Sequence, residues 1–213
     1  NLPTLIVRDA FNEFSGGTLS AKVPDLRQGS SDVWTASNAS VAYWTEDDTD
    51  LKMGHVEPTG EGVMSGMLPF GEPTDWTDLF VRATLTAASS YLNVGVATSE
   101  NHLVYLNIDS VKGEIALMKV GSGSLVPTVL GVDELADTTS PHTVRLSLVK
   151  DSEGDLQSEV FVDGAYFKEL WKPIGSLDGT MESLFFASGP EHNEPPAVDN
   201  VEGSYLCSDE DVC

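Results

Sequence analysis

Carboxylates are the abundant reactive groups of this chain, 34 Asp and Glu against 11 Lys and Arg. Retaining glycoside hydrolysis needs two of them about 5 Å apart, and one strand presents such a pair when it reads Glu-x-Asp-x-x-Glu. The chain has no such strand. Glu153-Gly154-Asp155 lacks the last acid and sits at a glycine turn, and Glu46-Asp47-Asp48-Thr49-Asp50 reads as a loop of solvated acids. His55, His102, His142 and His192 are isolated in sequence. The spacings that bring two imidazoles to one zinc ion, His-x-His and His-x-x-x-His, are therefore missing. Gly121-Ser122-Gly123 lacks the third glycine and the following helix of a dinucleotide loop. Neither a nucleophile elbow nor a phosphate-binding loop occurs.

The two cysteines, Cys207 and Cys213, lie in the last seven residues. Six positions apart, they can close a small ring in an oxidising compartment or stay as two free thiols. Catalysis by either is disfavoured, because the neighbouring acids Asp209, Glu210 and Asp211 suppress the thiolate. Aromatic side chains remain. Trp34, Trp44, Trp76 and Trp171, with Tyr43, Tyr91 and Tyr105, carry faces that suit the apolar C–H faces of sugar rings. Most sit in strand-like segments and can equally fill a core. Trp76, in the polar segment Glu72 to Asp78, is expected to be exposed.

The formal charge of -23 excludes partners more sharply than it names them. Such a surface repels nucleic-acid phosphates and anionic headgroups over a Debye length. The longest apolar runs, such as Leu184-Phe185-Phe186-Ala187, fall far short of the ~20 residues a membrane helix needs. Neither nucleic-acid binding nor membrane insertion is expected. The same charge predicts a salt response: the melting temperature rises from millimolar to molar salt as self-repulsion is screened. A flat or falling curve counts against it.

Whatever chemistry exists must be carried by strands. Leu92, Val94 and Val96 alternate with Tyr91, Asn93 and Gly95, and Val104, Leu106 and Ile108 alternate with Leu103, Tyr105 and Asn107. Val144, Leu146 and Leu148 form a third set. This period of two marks half-buried strands. Leu156 to Val162 and Ala165 to Trp171 flank Asp163-Gly164, a strong hairpin signal. Further strands are expected at Leu5 to Arg8, Val41 to Thr45, Leu79 to Leu85, Glu114 to Val120, Leu184 to Ala187 and Val198 to Tyr205. Helix signals are almost absent; Val132 to Ala136 offers at most one turn. Gly54 to Pro73, rich in Gly and Pro, reads as one long loop. The expectation is an all-β protein, an antiparallel two-sheet β-sandwich. Residues 1–205 form one domain, and 206–213 an acidic, loose tail. Val94, Val96, Leu106, Val144, Leu146, Val160 and Val162 point into its core. The chain opens on Asn1 with no signal-type segment and so reads as a piece of a longer product.

The order of the segments resembles the concanavalin-A-like, LamG-type jelly-roll domains of secreted and viral-particle proteins. Asp9-Ala10-Phe11, Gly17-Thr18-Leu19 and Val33-Trp34-Thr35 look like the family's opening. Asn93-Val94-Gly95-Val96 with Asn101 and Tyr105 looks like its central strand pair. Val160 to Gly164 and the closing Val198-Asp199-Asn200-Val201 follow in order. The resemblance covers about residues 5–205 and implies a jelly roll whose first and last strands are neighbours. That would bring Asp9 near Asp199, where related sandwiches hold a structural calcium with carboxylates and carbonyls. The alternative role for these two acids is to cap turns. The resemblance also implies Asn101 and Tyr105, beside Trp76, as ligand-binding candidates.

Enzymes occur on the same fold. Its lyases use a Tyr/His/Arg/Gln set with Arg-x-Glu-Leu and Gln-Ile-His motifs; neither motif occurs here, although Tyr166-Phe167-Lys168 has a faint likeness to the last lyase strand. Two functions follow. One is a noncatalytic, surface-exposed module for adhesion, decoration or a fibre, extracellular or on a virion surface. It would bind a glycan or a neighbouring protein subunit, in a homo-oligomer or larger assembly. The other is a polysaccharide-cleaving enzyme, glycoside hydrolase or lyase. The missing catalytic motifs favour the first.

Overall fold

The structure, a computed structural model, describes residues 4–11, 17–24, 26–27, 33–37, 39–45, 52–59, 63–69, 76–85, 91–121, 124, 126–137, 140–189 and 198–207. Its strands in chain order begin with β1 (Thr4–Asp9), β2 (Gly17–Thr18), β3 (Leu26–Arg27), β4 (Thr35–Ser37), β5 (Ala39–Thr45) and β6 (Lys52–Pro58). They continue with β7 (Met64–Pro69), β8 (Trp76–Leu85), β9 (Tyr91–Thr98), β10 (Leu103–Asp109), β11 (Glu114–Val120) and β12 (Thr128–Glu134). The last are β13 (His142–Lys150), β14 (Leu156–Val162), β15 (Ala165–Tyr166), β16 (Pro173–Gly175), β17 (Met181–Gly189) and β18 (Val198–Cys207). A single 3-10 turn, Lys168–Leu170, is the helical element among the described residues.

These strands make two antiparallel sheets, one of seven strands in the order β12-β11-β10-β9-β17-β7-β4 and one of eleven. The larger follows β15-β14-β13-β8-β18-β6-β5-β2, with β1 beside β18, β3 beside β1 and β16 beside β14. The architecture is the antiparallel two-sheet sandwich expected from the alternation, in the concanavalin-A-like jelly-roll form that the resemblance implies. First and last strands are indeed partners, with Asp9 opposite Val201.

Alternation decides which side chains meet between the sheets. Val94, Val96, Leu106, Val144, Leu146, Val160 and Val162 are all buried there. Removing each from water contributes about 1.5–3 kcal/mol. Trp34 centres the core, with its ring 5.5 Å from Phe186 and 6.1 Å from Phe11. The Asp163-Gly164 turn adopts φ of 50° and 79°, the pair of left-handed conformations a two-residue hairpin requires.

Four expectations are corrected. Val132 to Ala136 is no helical turn; Val132 to Glu134 complete β12, while Leu135 and Ala136 follow it. A bulge at Leu130, between the partners of Leu117 and Met118, throws the alternation of β12 out of phase, which hid the strand. Gly54 to Pro73 is no single loop but contains most of β6 and all of β7. Its Gly66 mimics a turn residue, yet a Cβ there would come within 2.6 Å of the Phe186 ring. Glycine in this strand serves close packing. The strand expected over Ala165 to Trp171 stops after Tyr166 and gives way to the 3-10 turn. The last strand continues through Leu206 and Cys207 rather than ending at Tyr205. Among the described residues, no helix is long and apolar enough to cross a membrane. Glu46 to Asp50, Cys213 and the Cys207 side chain lie outside the described residues.

Candidate functional site

The period of two that buries Val94 and Leu106 turns Asn93, Gly95, Leu103, Tyr105 and Asn107 to the outer face of the seven-stranded sheet. Cross-strand pairing arranges that face in rows. One row runs Val129, Met118, Tyr105, Gly95, Phe185, Met67, Thr35 across all seven strands. Gly95 has no side chain, so the rings on either side close over it. Tyr105 and Phe185 lie 5.9 Å apart, edge to face at 65°. This is a favourable aromatic arrangement. The next row runs Val132, Ala116, Asn107, Asn93, Ala187, Ser65, Ser37, and the Asn107 amide donates to Asn93 Oδ1 at 2.7 Å.

The β9–β10 turn supplies the rim. Asn101 N donates to Thr98 O at 2.9 Å, Thr98 N donates to His102 O at 2.9 Å, and His102 N donates to Thr98 Oγ1 at 3.2 Å. Closing so tight a turn puts Asn101 at φ 60°, a left-handed conformation that asparagine tolerates. Asn101 and Tyr105 thus meet at one cavity of about 650 Å³. Its other walls are Asn93, Leu103 and Phe185 from the sheet and Val120, Gly121, Ser124 and Pro127 from the end of β11 and the following loop.

The electrostatics of this face are unlike those of the whole chain. The two rows above, with the adjoining row Val120, Leu103, Ala97, Ser183, Pro69, hold no Asp, Glu, Lys or Arg, although 21% of the chain is charged. The acids resume at the far side of the second row, where Asp109 lies opposite Glu114, and Glu114 opposite Glu134. Tyr105 is the titratable group of the cavity wall, and burial pushes its phenol above its ordinary value. It stays a neutral hydrogen-bond donor and acceptor through neutral pH.

Trp76, the third ligand-binding candidate, is placed apart from these two. It starts β8 in the other sheet, opposite Cys207, rather than standing in a loop. Asp9 is fully buried, and its oxygens accept from protein donors. Lys22 Nζ lies 2.8 Å from both, Trp34 Nε1 donates to Oδ2 at 2.7 Å, and the Phe11 N–H donates to Oδ1 at 2.9 Å. Any cation at Asp9 would compete with that ammonium. Asp199 accepts from Asn200, its Oδ1 from the backbone N–H at 2.6 Å and its Oδ2 from the side-chain amide at 2.7 Å. Among the described residues, no three His, Cys, Asp or Glu side chains gather as a metal cluster.

Sequence reasoning missed Phe185, Asn93 and Met67. A signal existed for the first. The run Leu184-Phe185-Phe186-Ala187 breaks the apolar-polar alternation, and a strand apolar on both faces has something to cover on the second.

No protein-family model matches the chain, and no curated protein matches it. Among solved structures, the carbohydrate recognition domain of Emp46p shares 8% identity at a TM-score of 0.53, covering 80% of this chain and 87% of that one. A carbohydrate-binding module, CBM66 from Bacillus subtilis, shares 10% identity at a TM-score of 0.46, with coverage of 80% and 94%. The endo-beta-1,4-glucuronan lyase of Trichoderma reesei shares 10% at 0.48, with coverage of 81% and 90%. The first of these likenesses speaks to the fold, a lectin-like jelly roll.

Proposed function

We propose that the protein binds a glycan on the outer face of the seven-stranded sheet and turns nothing over. The observation that carries the reading is the Tyr105–Phe185 pair closed over Gly95 among three described rows that hold no charged residue, with Asn101 at its rim. The rings offer apolar surface to sugar C–H groups, while the Asn93, Asn101 and Tyr105 polar groups offer both donors and acceptors to hydroxyls. The Emp46p domain shares only the fold, so the ligand class rests on the residues of this face. A noncatalytic role is favoured because the described cavity wall holds no carboxylate or imidazole, and the Tyr105 phenol, pushed up by burial, is a poor base at neutral pH. Such a module fits an extracellular or particle surface, alone or in a larger assembly.

The test is a glycan array followed by titration of variants. Tyr105→Ala is expected to weaken binding about tenfold, with a small change in melting temperature, and Tyr105→Phe to weaken it less. Asn101→Gly removes the amide while keeping the left-handed backbone and is expected to weaken binding about fivefold, close to one hydrogen bond. Loss of binding on Trp76→Ala but not on Tyr105→Ala would move the site to the other sheet. Release of reducing ends or unsaturated sugars, abolished by Tyr105→Phe, would make the protein an enzyme.

A further inference from the structure

We infer that the ligand is an uncharged chain of several linked sugars lying across the strands, running from the cavity at Tyr105 over Phe185 to Met67. This rests on the glycan reading above and deepens it. The first observation is length. From Tyr105 the row crosses Gly95 and Phe185 to Met67, three strand spacings or about 14 Å, with Thr35 one strand beyond. The cavity takes up the Tyr105 end, bounded by the β9–β10 turn and the segment after β11. Beyond Phe185 the row continues to Met67, a residue 42% exposed. An exposed methionine beside an aromatic pair extends the same apolar platform past the cavity, over a span longer than one sugar ring needs.

The second observation is charge. Three neighbouring rows without Asp, Glu, Lys or Arg offer no cation to a uronate or sulfate, and the remainder of a -23 molecule repels both. Binding an acidic polymer here would remove its charge from water with no counter-charge in the described wall. A neutral polymer meets neither penalty.

The experiment uses a panel of immobilised polysaccharides, neutral (glucans, mannans, galactans, xylans) and acidic (polyuronates, sulfated galactans). Mono- to hexasaccharides of the neutral polymer held most tightly are then titrated against the native protein and Met67→Ala. Affinity is expected to climb with chain length. Met67→Ala is expected to weaken the hexasaccharide about fivefold and leave the disaccharide unchanged, because a half-exposed side chain can be truncated without unfolding. A monosaccharide bound as tightly as the hexasaccharide, or equal loss for short and long chains, overturns the extended site. Preference for the acidic polymers overturns its neutrality. Binding of no glycan at all removes the function proposed above, and this inference with it.

Discussion

Asp9→Asn is expected to cost about 3–5 kcal/mol, because it removes the carboxylate from a buried ion pair. Lys22 is 5% exposed and Asp9 is not exposed at all. The ammonium sits 2.8 Å from both carboxylate oxygens, donates to Val23 O at 3.1 Å and lies 5.6 Å from the Phe11 ring centre. Asparagine keeps the volume and an acceptor for Trp34 Nε1 but takes away the carboxylate charge that both 2.8 Å contacts of the ammonium use. In a chain of this size the loss corresponds to roughly 10–15 °C in melting temperature. The double variant Asp9→Asn with Lys22→Met should recover most of it, since the cost lies in a buried ammonium stripped of its carboxylate rather than in the missing attraction. A single-variant loss below about 1 kcal/mol would show that the ammonium reaches solvent.

Gly95→Ala is expected to damage stability and binding together. An added Cβ would lie 2.5 Å from Tyr105 Cβ and 2.6 Å from Tyr105 Cα, and nearer still to the Val104 carbonyl oxygen. Two of those atoms are backbone of the paired strand, so the clash cannot be relieved by a rotamer change, and a cost of about 2–3 kcal/mol follows. The ring pair would be wedged apart, so the glycan affinity should fall at least tenfold, about 1.4 kcal/mol. Gly203→Ala is the control. Its Cβ would meet Leu184 Cδ2 at 2.8 Å, the far end of a flexible side chain on the core side. It should cost less stability and leave binding intact. Equal binding loss in both variants would mean that Gly95 acts through global stability alone.

The legible parts of this molecule were those where the pleat acts alone. Wherever a strand is regular and half-buried, as in β9, β10, β13 and β14, alternation named both the strand and its core face. It failed where a second constraint overrode the pleat: the bulge that rephases β12, and Gly66, absent a side chain because Phe186 fills the space. The candidate cavity was half legible. Asn101 and Tyr105 were named in sequence, but their shared cavity depends on the β9–β10 register, which pairs Tyr105 with Gly95. Phe185 and Met67 arrive from strands far along the chain, and their place in the row is a product of topology. Asp9 was named in sequence as a calcium ligand or a turn cap, not as half of a buried ion pair, while its partner Lys22, an isolated lysine in the sequence, carried no signal at all.

The bulge in β12 also bears on how this molecule meets copies of itself. The seven-stranded sheet ends on one side in the three-residue β4 and on the other in β12, where Val129 and Val132 are about half exposed. A straight, valine-rich outer strand would be a template for recruiting further strands, end over end, into a ribbon. The extra residue at Leu130 twists the template out of line, and a strand of three residues on the opposite side is too short to serve. Both lateral growth directions of this sheet are closed by geometry.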